Sequence, residues 1–410
     1  MSATLNHRLT RRTLIRSIPL FGAAAVASAC AQPAASPTSA PTAKPAAAPT
    51  SQPAAAPPTT APAQAQPSVA ATSEWDKLVA TATSEKTLNL ATYAGTGYRK
   101  VVEAFQTAFP GISVEHSQFQ SSSREFSPRV LAEIKAGLHG FDVAAMPPQE
   151  MLRQIRPAGG IDPVRPKIIH PDALAEKNWV DGFEGGFYDN DKKWGYALSI
   201  AKSEELWINT DEVKESDIKS ITDLLDPKWK GKMVGGDPRT KGSGFNSATV
   251  MRLKQHDDDM IKKLYVDQEM VIGTDARQLT EFMVRGRYIV GIGAVDEVIL
   301  KDFVDQGMGK NLKSMPLADI DYVYANSSVA WLMKEAPHPN AAALFINWLL
   351  TKEGATIWTN NIGDNSRRVD VPPAQPDRVP VPGVEYIHLQ AESFLDELQK
   401  TQDIAKSVLN

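Results

Sequence analysis

The sequence predicts an α/β protein of two lobes with a ligand held between them. Apolar runs alternate with amphipathic helical patterns over most of the chain, two long extended stretches interrupt that alternation, and no linker composition divides it. Strands alternating with helices imply sheets with a parallel core covered on both faces. Long strands entering and leaving the middle of the chain imply that one lobe is built from discontinuous segments. Each lobe is therefore expected to be a mainly parallel sheet flanked by helices, the two joined by two crossing strands.

Residues 1–29 read as an export signal. Arg11-Arg12 precede an uncharged run from Ser17 to Ala29, and Cys30, the only cysteine, follows small residues. A cationic start, a short apolar run and small residues before a cleavage point mark secretion. The run is too short to span a bilayer, which needs about 20 residues. The paired arginines resemble a twin-arginine (Tat) signal, and Ala27–Cys30 resembles a lipobox, whose cysteine is acylated. A lone cysteine has no disulfide partner. Cys30 is expected to tether a lipoprotein to the outer face of the cytoplasmic membrane, by lipid anchor only.

Residues 30–73 are rich in Ala, Pro, Thr and Ser, with proline at every fourth residue from Pro33 to Pro57. Such a tract buries no core and favours extended conformations, reaching on the order of 130 Å at ~3.1 Å per residue. The first 73 residues contain no Asp or Glu. The formal charge of −4 becomes −8 once the four arginines of the signal (Arg8, Arg11, Arg12, Arg16) are removed. A mildly acidic body gives no electrostatic footprint for nucleic acid.

The globular pattern starts at Glu74, where Glu74–Thr83 suits a short helix. Thr87–Ala94 alternates as a strand, broken by Gly95-Thr-Gly97. Val101, Val102, Phe105 and Phe109 follow at helical spacing, stopped by Pro110-Gly111. Ile112–Phe119 is a second strand, Ser121 opens a helix carrying Val130, Leu131, Ile134 and Leu138, and Phe141–Met146 is a third strand. After the extended stretches Ala197–Lys202 and Glu205–Asp211 a second series begins, with strands at Lys232–Val234, Met270–Gly273 and Ile289–Gly293. Its helices fall at Ser243–Leu253, Ala276–Arg285 and Ala294–Phe303. Asp321–Met333 is extended again, and Pro337-His-Pro opens a helix carrying Ala341, Leu344, Phe345 and Trp348. Residues 74–200 plus 328–410 are expected to form one lobe and 201–327 the other, hinged near 199–203 and 325–328.

Five segments in order resemble the solute-binding proteins of ATP-driven (ABC) importers, in the branch of ferric-ion and small-anion binders. They are Asp223–Lys232 (DLLDPKWKGK), Asp237–Gly244, Ala336–Asn347, Lys352-Glu-Gly354 and Asn365–Arg368. The resemblance implies a type II periplasmic-binding-protein fold, closure on a small-molecule ligand, and delivery to a membrane permease. It departs from the ferric binders in one respect: they carry adjacent tyrosines, and no Tyr-Tyr pair occurs here. Tyr93, Tyr98, Tyr322 and Tyr324 are the nearest equivalents, with Tyr93 and Tyr322 the alternative metal ligands.

Ligands of such sheets sit at the carboxyl ends of the strands, and helix starts there hold anions through free N–H groups. The expected ligand is an anion or zwitterion with a carboxylate, phosphonate or phosphate. Its first-lobe contacts would be Tyr93, Thr96, Gly97, Ser121 and Ser122, with Ser199 and Lys202 on the crossing strand. Ser243, Gly244, Asn246, Asp275 and Arg277 would contribute from the second lobe, and Arg367 or Arg368 a charged fork. Each has a plainer alternative: a tight turn for the glycines, a helix cap for Asp275, a lobe-stabilising contact for the arginines. Trp229, Trp348 and Trp358 are expected in cores. No nucleophile elbow, phosphate loop, dinucleotide fingerprint or zinc spacing is present, so neither enzyme chemistry nor a cofactor is expected. The protein is expected to be a monomer. A sensor or an enzyme on the same two-lobe fold is the further alternative.

Overall fold

The computed structural model describes residues 69–409 apart from Ser327. The expected signal, the acylated Cys30 and all but the end of the linker lie outside the described residues. Helix α1 (Val69–Glu85) starts five residues before the compositional change at Glu74, because the Val-Ala-Ala turn ahead of it is rich in a strong helix former.

The first lobe is a sheet in the order β2-β1-β3-β13-β4, with β5 also on β13. Strands β1 (Thr87–Tyr93), β2 (Ser113–Phe119) and β3 (Val143–Ala145) are mutually parallel, and α2 (Thr96–Ala108) and α3 (Ser127–Lys135) alternate with them. Strand β13 (Val329–Met333), returning from the other lobe, inserts antiparallel between β3 and the edge strands β4 (Ile161–Asp162) and β5 (Gly195–Ala197). Two short helices, α4 (Pro148–Glu150) and α5 (Pro171–Leu174), lie among the connections. Alternation along β1 sends Leu88 and Leu90 to one face and Ala91 to the other. On the first face Phe105 is fully buried and edge-on to Phe345 at 4.9 Å, a burial worth about 2 kcal/mol.

The second lobe is a sheet in the order β11-β7-β10-β8-β9. Strands β6 (Ala201–Lys202) and β7 (Leu206–Asn209) lead into it. Strands β8 (Met233–Gly236), β9 (Val271–Gly273) and β10 (Val290–Ile292) form its parallel part. Helices α6 (Ser243–Gln255), α7 (Ala276–Val284) and α8 (Glu297–Asp305) follow those strands. Strand β7 is antiparallel to both β10 and β11 (Leu312–Met315). Trp229 is buried in this core, and Trp348 and Trp358 in the first, on α9 (Pro339–Leu350) and α10 (Lys352–Ile362).

Three differences from the sequence reading follow from how the chain crosses. Both sheets are mixed rather than mainly parallel, because a strand arriving from the other lobe enters antiparallel. Three strands, not two, make the crossing ribbon: β6 pairs antiparallel with β12 (Tyr322–Tyr324), which pairs parallel with β14 (Ile387–His388). The last helix, α11 (Leu395–Val408), starts on the first lobe, where Leu398 is buried and the Leu395 carbonyl accepts from Arg153 Nη2, and its C-terminal part packs on the second lobe beside α6. Ala405 is buried in the second-lobe core, Thr401 Oγ1 accepts from Arg252 Nε at 3.1 Å, and Gln402 Nε2 donates to the Arg239 carbonyl at 3.0 Å. Asp258, from the acidic run 257–259, adds an ion pair to Lys400 at 2.7 Å. Among the described residues no helix is long and apolar enough to cross a membrane.

Candidate functional site

Between the lobes, over the crossing ribbon, lies a cavity of about 970 Å³. Its floor is β12 and the turn after β6. Tyr322 and Tyr324 stand on the same side of β12, two residues apart, with ring centroids 5.9 Å apart. The Tyr322 hydroxyl accepts from Asn246 Nδ2 at 2.9 Å, and the Tyr324 hydroxyl accepts from Arg378 Nη1 at 2.9 Å. Beside them Glu205 is 7 % exposed. Burial pushes its carboxyl up to about 7, opposed by the Tyr322 hydroxyl. Burial also raises both phenols, Tyr322 well above the usual tyrosine range. Behind the floor, burial pushes Asp321 up to about 7 as well, although the Leu317 N–H donates to it at 2.7 Å.

The walls are strongly acidic. Glu204, Glu205, Asp296, Glu297, Asp364 and Asp377 line the cavity, against Lys241 and Arg378. Both cations are already engaged across the cleft, Lys241 with Glu150 at 3.2 Å and Arg378 with Glu297 at 2.6 Å. Glu204 is paired with Lys202. Among the described residues Glu205, Asp296, Asp364 and Asp377 have no basic partner at ion-pair distance. Asp296 caps α8 by accepting from the Val298 N–H at 2.9 Å. Asp364 accepts from Ser328 Oγ at 2.6 Å, and burial raises its carboxyl. A cavity of this charge attracts cations and repels free anions.

The expected contacts divide sharply. Ser243 and Asn246 line the cavity, as does Tyr322. Lys202 lies just behind it, buried and held by Glu204. Ser199 is buried in the ribbon, donating to the Ala325 carbonyl at 2.9 Å. Ser122 donates to Glu150 Oε2 at 3.2 Å and so touches the cleft only through the Glu150–Lys241 bridge. Ser121 caps the turn after β2 by accepting from the Arg124 N–H at 3.2 Å. Tyr93 points into the first lobe, its hydroxyl accepting from the Ser122 N–H at 3.4 Å.

The remaining candidates are not cleft residues. Thr96 is exposed at the start of α2, outside the cavity. A Cβ at Gly97 would lie 2.2 Å from the Asn361 carbonyl, and one at Gly244 2.2 Å from that of Gly236. Both glycines therefore let a helix start approach backbone, which is a packing role. Asp275 caps α7, accepting from the Gln278 N–H at 3.0 Å. Arg277 lies on the surface over the Phe303 ring, 5.7 Å from its centroid. Arg367 is fully buried in the first lobe and donates to the Val180 carbonyl. Arg368 is buried beside it, paired with Asp172 at 3.0 Å and Asp370 at 2.9 Å. Arg368 is thus absorbed by lobe packing, and Arg367 lies outside the cavity.

Against proteins already described, residues 88–361, more than half of the chain, match the family model for bacterial extracellular solute-binding proteins. The chain belongs to that family. Solved structures with similar folds include iron-bound HitA of Pseudomonas aeruginosa, at 18 % identity and a TM-score of 0.55, covering 78 % of this chain and 99 % of that one. Ferric iron-binding protein A of Mannheimia haemolytica in an open conformation gives 14 % identity and a TM-score of 0.57 over 79 % and 98 %. The spermidine/putrescine ABC transporter substrate-binding protein PotD of Streptococcus pneumoniae gives 15 % and 0.53 over 78 % and 99 %. At these identities the likeness is one of fold: the two-lobe type II periplasmic-binding-protein architecture. An uncharacterized protein of Haemophilus influenzae is 27 % identical over 161 residues, spanning 37 % of this solute-binding protein and 43 % of its own length.

Residue-by-residue reading missed Glu205, Asp364, Glu297 and Arg378. A charged pair, Glu204-Glu205, at the head of the apolar strand Leu206–Asn209 is a detectable signal, since acidic residues are rarely buried without a task. Arg378 stands in a proline-rich loop and carries no such signal.

Proposed function

We propose that this solute-binding protein captures a small solute bearing a protonated amine and delivers it to an ABC permease. The observation that carries the reading is Glu205, a buried carboxylate at the centre of the cleft floor with no basic partner. A carboxyl held near 7 by burial becomes fully ionised when a cation is placed against it, so a positive solute gains a strong charge-assisted contact. Asp364 and the two phenols surround the same position. A zwitterion's oxyanion would meet the start of α6, where Gly242 and Ser243 present N–H groups without a side-chain cap and Lys241 stands alongside. Of the anion or zwitterion expected from the sequence, this reading keeps the zwitterion and sets aside the simple anion. The body is exported and tethered through acylated Cys30, and the protein binds without turning over its solute. Titration calorimetry with spermidine, basic amino acids and organic acids tests the reading. Heat from the amines that is lost in Glu205→Gln supports it; binding of the acids alone overturns it.

A second reading is ferric iron held by Tyr322, Tyr324 and Glu205. The side-by-side phenols favour it, together with the iron named for HitA and the Mannheimia protein. Both hydroxyls accept from neutral or cationic donors and both pKa values are raised, so a metal would first have to displace those donors and two protons. A visible charge-transfer band on adding ferric ion, lost in Tyr322→Phe, decides for iron.

A further inference from the structure

The segment 371–386 runs from the first lobe to the ribbon across the mouth of the cleft. Its foot is fixed on the first lobe by three hydrogen bonds. The Gln375 N–H donates to Asn365 Oδ1, Asn365 Nδ2 donates to the Gln375 carbonyl, and Gln375 Nε2 donates to the Gly363 carbonyl, each at 2.7 Å. Its far end joins the ribbon through β14, and the Glu385 carbonyl accepts from Lys254 Nζ of the second lobe at 3.1 Å. Midway, Arg378 reaches inward. Nη2 meets Glu297 Oε2 at the start of α8 at 2.6 Å, and Nη1 donates to the Tyr324 hydroxyl at 2.9 Å.

We propose that Arg378 sets the specificity of the cleft as a built-in substitute for the solute's positive group, latching the lobes through Glu297 until a cationic solute competes with it. The proposal rests on the amine reading above. Three placements carry it. The guanidinium pairs the middle of the strap with Glu297 on the opposite lobe, so Glu297 is satisfied without solute. It hydrogen-bonds a floor tyrosine, so it stands at the solute's position rather than on the outer surface. With a side chain 27 % exposed it is only partly desolvated, and it can be displaced without burying a bare charge. A planar fork that binds a carboxylate and a hydroxyl together is also what an amine must outmatch, so weakly charged solutes fail to displace it. Selection for more highly charged or multidentate amines follows from that competition.

The test uses the full chain and a probe that mimics the side chain itself. Titration calorimetry with methylguanidinium at low ionic strength is expected to show binding to Arg378→Ala at least about tenfold tighter than to wild type, where the site is filled. Spermidine should bind Arg378→Gln about tenfold more tightly than wild type, the effect of removing one like charge a few ångströms away in a wet cleft. Arg378→Lys, which keeps the charge, should stay within about threefold of wild type and guards against a folding artefact. Rescue by methylguanidinium with no amine binding to any variant would leave Arg378 as the group that fills the site and latches Glu297, but would sink the amine reading and with it the proposed competition. Equal spermidine affinity in wild type and Arg378→Gln, with no methylguanidinium binding to Arg378→Ala, would overturn the latch while the amine reading stands. Failure of both probes on every variant would overturn both.

Discussion

Gly95-Thr-Gly97 and Gly242-Ser-Gly244 share a pair of glycines around one hydroxyl residue, each opens a helix after a strand, and only the second borders the cleft. In both, the last glycine does the same work. A side chain there would strike the Asn361 carbonyl in one case and the Gly236 carbonyl in the other, each at 2.2 Å. The first glycines differ. Gly95 has φ 166°, extended backbone open to any residue, whereas Gly242 has φ 153°, on the side that favours glycine. The difference teaches that a glycine pair ahead of a helix encodes close packing first. Whether its free N–H groups see a ligand depends on which way the sheet edge faces, and that is a tertiary property.

The largest test of this comparison is on stability. Gly97→Ala and Gly244→Ala should each cost about 3 kcal/mol or more, since backbone on the far side cannot yield as a flexible side chain would. Gly95→Ala should be nearly neutral, its Cβ meeting only the Tyr98 ring, at 3.5 and 3.8 Å. Urea unfolding of the three variants checks this, and a well-tolerated Gly244→Ala would break the parallel between the two starts.

Next in size is the contrast between floor and rims. Glu205→Gln should weaken amine binding on the order of 30-fold, because a buried charged partner is lost. Thermal denaturation against pH sharpens the same point in the absence of solute. Glu205 and Asp321 both sit near 7 in the folded protein, against ordinary values of 4.5 and 3.8. Between those values and about 7 the folded state holds protons that the unfolded chain has released, so stability is greatest at the acid end and falls as pH rises towards 7. Burial lowers His388 to about 4, which acts in the opposite direction. The test is therefore a difference between proteins: from pH 5 to pH 8 the wild type should lose more melting temperature, or gain less, than Glu205→Gln. Equal pH slopes in the two proteins would show that Glu205 is not desolvated.

The smallest effect separates the two rims directly. Ser243→Ala should weaken a zwitterionic solute a few-fold, while Thr96→Val at the equivalent place in the first lobe should leave its affinity unchanged. Equal losses by calorimetry would put both helix starts at the ligand.

Much of the fold was legible because its strands and helices are strongly periodic. β1, β2 and the helices α2, α6 and α7 lie within a few residues of where the spacing of Val101, Val102 and Phe105, or of the glycine breaks, puts them. The third crossing strand was not legible, because Ile387-His388 is too short to show a period. Nor was the allegiance of α11: its apolar face fits either lobe, and Thr401 and Gln402 declare the second only through partners on α6 and at Arg239. At the site, Ser243, Asn246 and Tyr322 could be placed from strand ends and helix starts. Glu205, Glu297, Asp364 and Arg378 come from four separate segments, and nothing local in any of them announces the others. Arg277, Arg367 and Asp275 have the chemistry of ligand residues, yet surface stacking, burial and capping already use it.

The placement of α11 has a practical side. Helix α1 is fixed to the first lobe, where Glu85 accepts from the Ala341 N–H at 2.7 Å, while the C-terminal end of α11, around Ala405, is fixed to the second. Helix α1 and the C-terminal end of α11 therefore sit on opposite lobes. A donor dye on α1 and an acceptor on α11 would turn lobe rotation into a change of energy transfer, with no label near the cleft and no knowledge of the solute required.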